Sequence, residues 1–167
     1  HLLINNSDTT TNAFCGLGFR AGTGDGSIGY VYTGSTNAAD FVINTDGGAN
    51  GVERLRITSG GRLGVGIAAP TKLLDIATST SADGIRVKST GNTYNEIAFD
   101  ANRTNATNHI GRIISNWNGT TVSYISFDTG TDTSNKDDGQ IRFHTSASGG
   151  SNVERLRIGT AGQLGIG

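Results

Sequence analysis

The sequence predicts an all-β chain built from tandem repeats of short strands. Three observations carry that prediction. Val52–Ile57 recurs letter for letter as Val153–Ile158, and Gly61-Arg-Leu-Gly-Val-Gly66 recurs as Gly162-Gln-Leu-Gly-Ile-Gly167, changed only by Arg→Gln and Val→Ile. Short apolar runs of near-alternating polarity are separated by Asp-Gly and Asn-Gly pairs, the pattern of half-buried strands joined by tight turns. The 167 residues include 26 glycines, one proline (Pro70) and no methionine, and 34% are hydrophobic. Ordinary globular domains carry roughly 45–50% when glycine is counted as well. Aromatic residues recurring from Phe14 to Phe143 argue against disorder.

The first unit is expected over residues 1–66. It opens on His1-Leu-Leu-Ile4, which is echoed by Lys72-Leu-Leu-Asp-Ile76. Gly16-Leu-Gly18-Phe-Arg-Ala21 matches the letters of a dinucleotide fingerprint, but that motif must open a helix. Gly22-Thr-Gly-Asp-Gly26 follows and cannot, so a glycine-containing strand and turn are expected, with no cofactor. Asp25-Gly26 signals a turn. Gly29–Gly34 corresponds loosely to Tyr124–Gly130, and Phe41-Val-Ile-Asn-Thr45 to Ile141-Arg-Phe-His-Thr145. The latter pair each lead through a glycine-rich connection into Val-Glu-Arg-Leu-Arg-Ile, and each reads as a hairpin. Asp46-Gly47 and Asn50-Gly51 mark the first of these connections. Glu53–Arg56 contains good helix formers, but Gly51 and Gly60-Gly61 leave too short a span for a helix stable in water. A strand is expected, in which Glu53, Leu55 and Ile57 share one face and Arg54 and Arg56 the other. Residues 67–83 connect this unit to a second, 84–167, with further turns at Asp83-Gly84, Asn118-Gly119 and Asp138-Gly139.

Charge and isolated side chains exclude several roles. Net charge is −1, from 13 basic and 14 acidic residues, so there is no basic face of the kind nucleic acid requires. The longest apolar runs, such as Leu63–Ala69, are too short to cross a bilayer, and no secretory signal pattern opens the chain. Cys15 is the only cysteine; it cannot form an intrachain disulfide and reads as a small apolar residue. His1, His109 and His144 lack metal-ligand spacing, and His144 is expected on a strand with its ring exposed or at an interface. Asn44, Asp46, Asn50 and Glu53, and again Asp128, Asp132, Asp137 and Asp138, crowd oxygen atoms into loops. Neither set has the spacing of a helical Ca²⁺ loop, and turn-forming Asx residues account for both, so no metal is expected. No pair of acidic residues recurs in the manner of glycoside hydrolysis, so no catalytic residue is expected. Trp117, flanked by Asn116 and Asn118 beside a turn, either packs at an interface or stacks on a sugar.

Two arginines on one strand face are either solvated or paired with carboxylates, which arginine bridges bidentately. Their recurrence as Arg155 and Arg157 favours a shared structural role. Glu53, Arg54, Arg56, Glu154, Arg155 and Arg157 are therefore candidates for a charge ladder across a subunit boundary. Units this sparse in apolar residues, without a disulfide, are marginal alone, so self-association is expected.

The stretch VERLRITSGGRLGVGIAAPTKLLDI resembles a repeat of bacteriophage tail fibres and tailspikes, often found upstream of a self-cleaving chaperone domain. Glu53, Arg54, Leu55, Arg56, Ile57, Leu63, Gly64, Val65, Gly66, Pro70, Lys72 and Leu73 fill its pattern, and Glu154–Gly167 fill part of it again. The resemblance implies an elongated parallel homotrimer of interwoven or prism-like β-sheets. It implies a virion-associated, extracellular location and a structural or adhesive role in host attachment, with host-surface glycans as possible contacts. The chain is expected to be cut from a longer fibre with more copies. The protease residues of the chaperone domain are not in the sequence, so autocleavage is not implied. A bacterial surface or filament protein of the same repeat design is the alternative, and a polysaccharide-degrading tailspike a more distant one.

Overall fold

The computed structural model describes residues 3–35, 37–45 and 51–167. The chain divides into two compact units, His1–Val87 and Lys88–Gly167, and each contains one sheet. The first is six-stranded, in the order β1 (Phe14–Ala21), β2 (Gly24–Tyr32), β3 (Ala39–Thr45), β4 (Val52–Ile57), β5 (Leu63–Val65), β6 (Leu74–Ile76). Neighbours are antiparallel except β5 and β6, which run parallel. The second is a fully antiparallel meander of β7 (His109–Trp117), β8 (Thr120–Thr129), β9 (Gly139–Ser146), β10 (Asn152–Ile158) and β11 (Leu164–Ile166). No helix forms among the described residues.

Turn chemistry sets the hairpins. Trp117 pairs with Thr120 across Asn118 and Gly119, whose φ angles are +47° and +82°, the left-handed pair a type I′ turn demands. Between β1 and β2 the turn falls on Gly22 (φ +63°) and Thr23. It is displaced from the expected Asp25-Gly26, which lie within β2; of the glycines at 22, 24 and 26, Gly22 is the one at positive φ, a conformation glycine adopts at little steric cost. The expected turns at Asp46-Gly47 and Asn50-Gly51 involve 46–50, outside the described residues. The dinucleotide-like letters of 16–21 are strand β1. Gly16 lies opposite Gly29, and a Cβ on either would strike the ring of Phe14, at 2.6 and 2.8 Å. That ring lies over the bare glycine pair and supplies the apolar cover they lack.

The repeated hairpin is present twice, β3–β4 and β9–β10, and both copies carry a bulge at the same letter. Asn44 pairs with Glu53 and Ile43 with Leu55, skipping Arg54; His144 pairs with Glu154 and Phe143 with Leu156, skipping Arg155. The extra residue breaks the two-residue alternation and overturns the expected faces. Glu53 and Arg56 lie together on the face of Val42 and Asn44, and Arg54 joins Leu55 on the other. The stretch read as a connector, 67–83, adds β6 to the first sheet. From β6 to β7 there is no strand, and Ile85, Tyr94 and Ile97 there are exposed.

Neither sheet closes an apolar interior. Val42 and Pro70 are the buried apolar side chains among the described residues, while the polar Asp40, Ser126, Asp128, Gln140 and His144 are buried too. Leu17, Phe19, Tyr30, Ile113 and Ile114 are all exposed.

Candidate functional site

The two repeats build the same charged motif from the same letters. In the first, Arg56 donates to Glu53 through Nε (2.8 Å) and a terminal nitrogen (2.5 Å), a bidentate pair made possible by the bulge. Its other terminal nitrogen reaches Asp40 at 2.6 Å, and Asp40 accepts the Ser59 amide at 2.8 Å. In the second, Arg157 donates to both oxygens of Glu154 at 2.9 Å. The bulged arginines, Arg54 and Arg155, donate to Thr45 and Thr145 at 2.9 and 3.1 Å, and the Arg54 and Arg155 carbonyls accept the Gly66 and Gly167 amides. The expected charge ladder is thus satisfied within one chain at Glu53, Arg56, Glu154 and Arg157. Partly buried pairs of this geometry fix strand register more than they add net stability.

The second sheet adds a network that the first lacks. Asp128, with a fully buried side chain, accepts from Arg142 Nε at 2.5 Å, from Ser126 Oγ at 2.8 Å, and contacts His109 Nδ1. Burial opposes ionisation of Asp128, and the bonds from Arg142, His109 and Ser126 overcome it, so its pKa lies below the ordinary value. Arg142 also donates to the Thr107 carbonyl at 3.3 Å and approaches Glu154 at 3.7 Å. Serine, aspartate and histidine meet here without forming a nucleophilic relay. The buried Ser126 hydroxyl donates to the carboxylate, and no base acts on it. The loop of oxygen ligands read from Asp128, Asp132, Asp137 and Asp138 does not exist as a loop: Asp128 is inside β8. Asp132 and Asp138 accept backbone amides of 131–135.

His144 lies on strand β9, as expected, and is buried, so of the two placements expected for its ring the exposed one is not realised. Its ring stacks on Tyr124 at 4.1 Å and 15°, and both ring nitrogens lack hydrogen-bond partners among the described residues. Burial first, then the nearby Arg142, lowers its pKa from the ordinary 6.5, against opposing pulls from Glu154 and Asp128. Because the unfolded chain takes up this proton at higher pH than the folded one, stability falls as pH drops below about 6.5. Glu154, held low first by its bond from Arg157, and Asp128 add a second loss below the ordinary carboxylate range. His144→Phe keeps the stack and removes the titration. It is expected to raise stability at pH 7, read from urea unfolding, by about 1 kcal/mol and to flatten the pH 7-to-5 decline; an unchanged pH slope would remove His144 as its source.

Trp117 sits at the tip of the β7–β8 hairpin, 78% exposed, with Asn118 exposed in the turn beside it. Asn116 is held by the Thr121 hydroxyl at 2.9 Å, so its side-chain oxygen is engaged. Two open hollows lie on the surface of the described residues. One, about 700 Å³, lies on the first sheet against Phe14, Phe19, Arg20, Asn44, Glu53 and Arg56. The other, about 330 Å³, is rimmed by Phe99, Asn102, Arg103, Asp132 and Lys136. No group of three or more potential metal ligands occurs among the described residues.

The sheet organisation and the charged repeat define a two-unit, all-β chain that orders itself through polar contacts. No protein-family model matches it, and no curated protein matches it in sequence. Among solved structures it is similar to the carboxy-terminal domain of the bacteriophage T5 L-shaped tail fibre. The two share 13% identity and a TM-score of 0.66 over 93% of this chain and 80% of that one. At that identity the likeness is one of fold.

Proposed function

We propose that the chain is a structural segment of a phage tail fibre, a trimer of identical chains that supports or contributes to attachment at a host surface, in a mechanical and not a catalytic role. The observation that carries this reading is the missing core: among the described residues, two buried apolar side chains, Val42 and Pro70, beside many exposed ones. The accessible surface, 12315 Å², compares with about 7,800 Å² for a folded monomer of this mass, or about 9,400 Å² for two separate units of half the mass. The excess, about 2,900 Å² even over two separate units, is larger than the roughly 1,600 Å² that two standard interfaces per chain would remove from water, at about 800 Å² each. The fold likeness to a tail-fibre domain supports the same reading, as does the VERLRI repeat. Bulged Arg54 and Arg155, exposed on strands otherwise satisfied internally, are the members of the charge ladder left to reach a neighbouring chain.

Sedimentation is expected to give a species of three times 17.3 kDa, and the melting temperature is expected to rise with protein concentration, since association stabilises only the folded state. A stable monomer with a concentration-independent melt would sink the reading. For attachment, Trp117→Ala is expected to leave stability within about 0.5 kcal/mol and to lower binding to host-surface glycan. Equal binding by both proteins would remove Trp117 from the contact.

A further inference from the structure

We propose that the hollow on the first sheet binds a neutral sugar ring of a glycan, with Phe14 as its stacking platform and Ser27, Asn44 and the Arg20–Asp25 pair as its polar contacts. The site follows from the ladder. Gly18, Ser27, Asn44 and Glu53 stand opposite one another on four successive strands, so they form one row on one face. Along β1, Phe14, Gly16, Gly18 and Arg20 take alternate places on that same face. The Phe14 ring covers Gly16 and Gly29. Gly18 is left bare between that ring and Arg20, which pairs with Asp25 at 3.3 Å.

The second sheet shows how much is missing. The corresponding row there is Ile114, Tyr124, His144 and Glu154. Tyr124 and His144 stack at 4.1 Å, and Arg112 lies over the Tyr124 ring at 5.4 Å. Glycine, serine and asparagine in the first three places of the row leave about 700 Å³ open, a volume typical of small-molecule sites. Gly18 gives an independent sign of a ligand. Its φ is not positive, and a Cβ there would meet nothing within 4 Å, so neither backbone geometry nor packing within the chain calls for glycine. Glycine inside a strand weakens it and often marks the close approach of a ligand.

The polar groups select the chemistry. Asn44 donates to Ser27 Oγ at 3.0 Å, which leaves the Asn44 side-chain oxygen to accept and the Ser27 hydroxyl to donate. The charges around the hollow are already matched, Arg20 with Asp25 and Arg56 with Glu53, so a charged ligand gains no counterion. A purely apolar ligand would leave the amide and hydroxyl unpaired. A pyranose meets both demands: edge hydroxyls that donate and accept, and a C–H face for Phe14, which is 38% exposed. The opposite face of the sheet carries Leu17, Ile28, Ile43 and Leu55 in one row. A second copy of the chain that covers that apolar row leaves the hollow in solvent. The inference rests on the attachment reading for its class of ligand and is independent of the number of chains.

The test is an array of immobilised oligosaccharides, neutral ones built from hexoses, deoxyhexoses and N-acetylhexosamines beside sialylated and uronate-bearing ones. The full chain is expected to bind neutral members. In the parent, titration with a neutral sugar that binds is expected to shift the Gly18, Ser27 and Asn44 amide resonances, and Trp117→Ala is expected to keep those shifts, which separates this site from the hairpin tip. Two variants fill the hollow: Gly18→Val, and Ser27→Tyr combined with Asn44→His, which copies the second sheet's row. Each is expected to sediment as the parent does and to bind about ten-fold more weakly or worse. Failure of every neutral sugar, or binding confined to the acid-bearing ones, would overturn the chemistry. Neutral binding that leaves the Gly18 and Asn44 resonances unmoved, or that both filled variants retain, would overturn the site. Sedimentation scores the three-chain reading separately: a monomer that binds a neutral sugar in the hollow would sink that reading and keep this one.

Discussion

Asp128→Ala is expected to cost the second sheet about 3–5 kcal/mol, the usual consequence of stripping one partner from a buried ion pair, and so to unfold a unit whose total stability is of that order. Asp128 is the counterion that makes Arg142 tolerable. Arg142 lies directly opposite Arg157 in the β9–β10 ladder, and Glu154 alone would then serve both guanidinium groups, at 3.7 Å from Arg142 and 2.9 Å from Arg157. Like charges opposed across a ladder destabilise it. The buried Ser126 hydroxyl would also lose its acceptor. The first sheet shows how the same positions are filled without charge. By register with β3 and β9, Gly29, Val31 and Val42 occupy the places of Ser126, Asp128 and Arg142. The triple variant Ser126→Gly, Asp128→Val, Arg142→Val is therefore expected to recover stability to within about 1 kcal/mol of the parent, since a well-packed apolar set can replace a buried ion pair. Urea unfolding followed by exchange at β8 and β9 amides measures both. If the single variant matches the parent, the network is solvated and carries no weight.

Comparison of the two repeats also shows what the sequence could disclose. The hairpins were legible because identical letters recur and because Asn118-Gly119 has a single favoured turn geometry. The bulges were not. Val-Glu-Arg-Leu-Arg-Ile interrupts its alternation at the polar pair Glu53-Arg54, and it takes the partner strand to show that this interruption is a bulge that skips one arginine. The Asp128 network draws on three strands, β7, β8 and β9, so no local spacing announces it. A signal was nevertheless present. Aligning β2 and β3 with β8 and β9 turns an apolar pair, Val31 and Val42, into an opposite-charge pair, Asp128 and Arg142, a coupled change that only neighbours in space would show. Burial of the His144 ring within its own chain was not legible, because nothing in Phe143-His144-Thr145 announces what covers it. Tyr124, which covers it, is supplied by the adjacent strand, and the corresponding pair in the first sheet, Ser27 and Asn44, is joined instead by a 3.0 Å hydrogen bond.

The repeated glycines allow a sharper contrast. Gly64→Val and Gly165→Val change the same letter of the same motif, and valine is the better strand former in both places. The first is expected to cost about 3 kcal/mol, at the upper end of overpacking. Its Cβ would run into the Ile67 carbonyl and its methyl groups toward Pro70, and backbone cannot yield as a side-chain tip can. Relief requires the 67–73 loop to lift, which draws β6 away from β5 and breaks the bonds from the Leu63 amide to the Leu73 carbonyl and from the Ala77 amide to the Val65 carbonyl. Gly165→Val meets nothing nearer than the Arg157 Cβ, at 3.8 Å, so it is expected to change stability by less than about 0.5 kcal/mol. Exchange at the Ala77 amide reports the first directly, since that amide bonds only while β6 is seated. Equal costs at the two sites would mean that the motif's glycines serve the strand itself. A large cost at Gly64 alone would mean that they serve whatever lies across it.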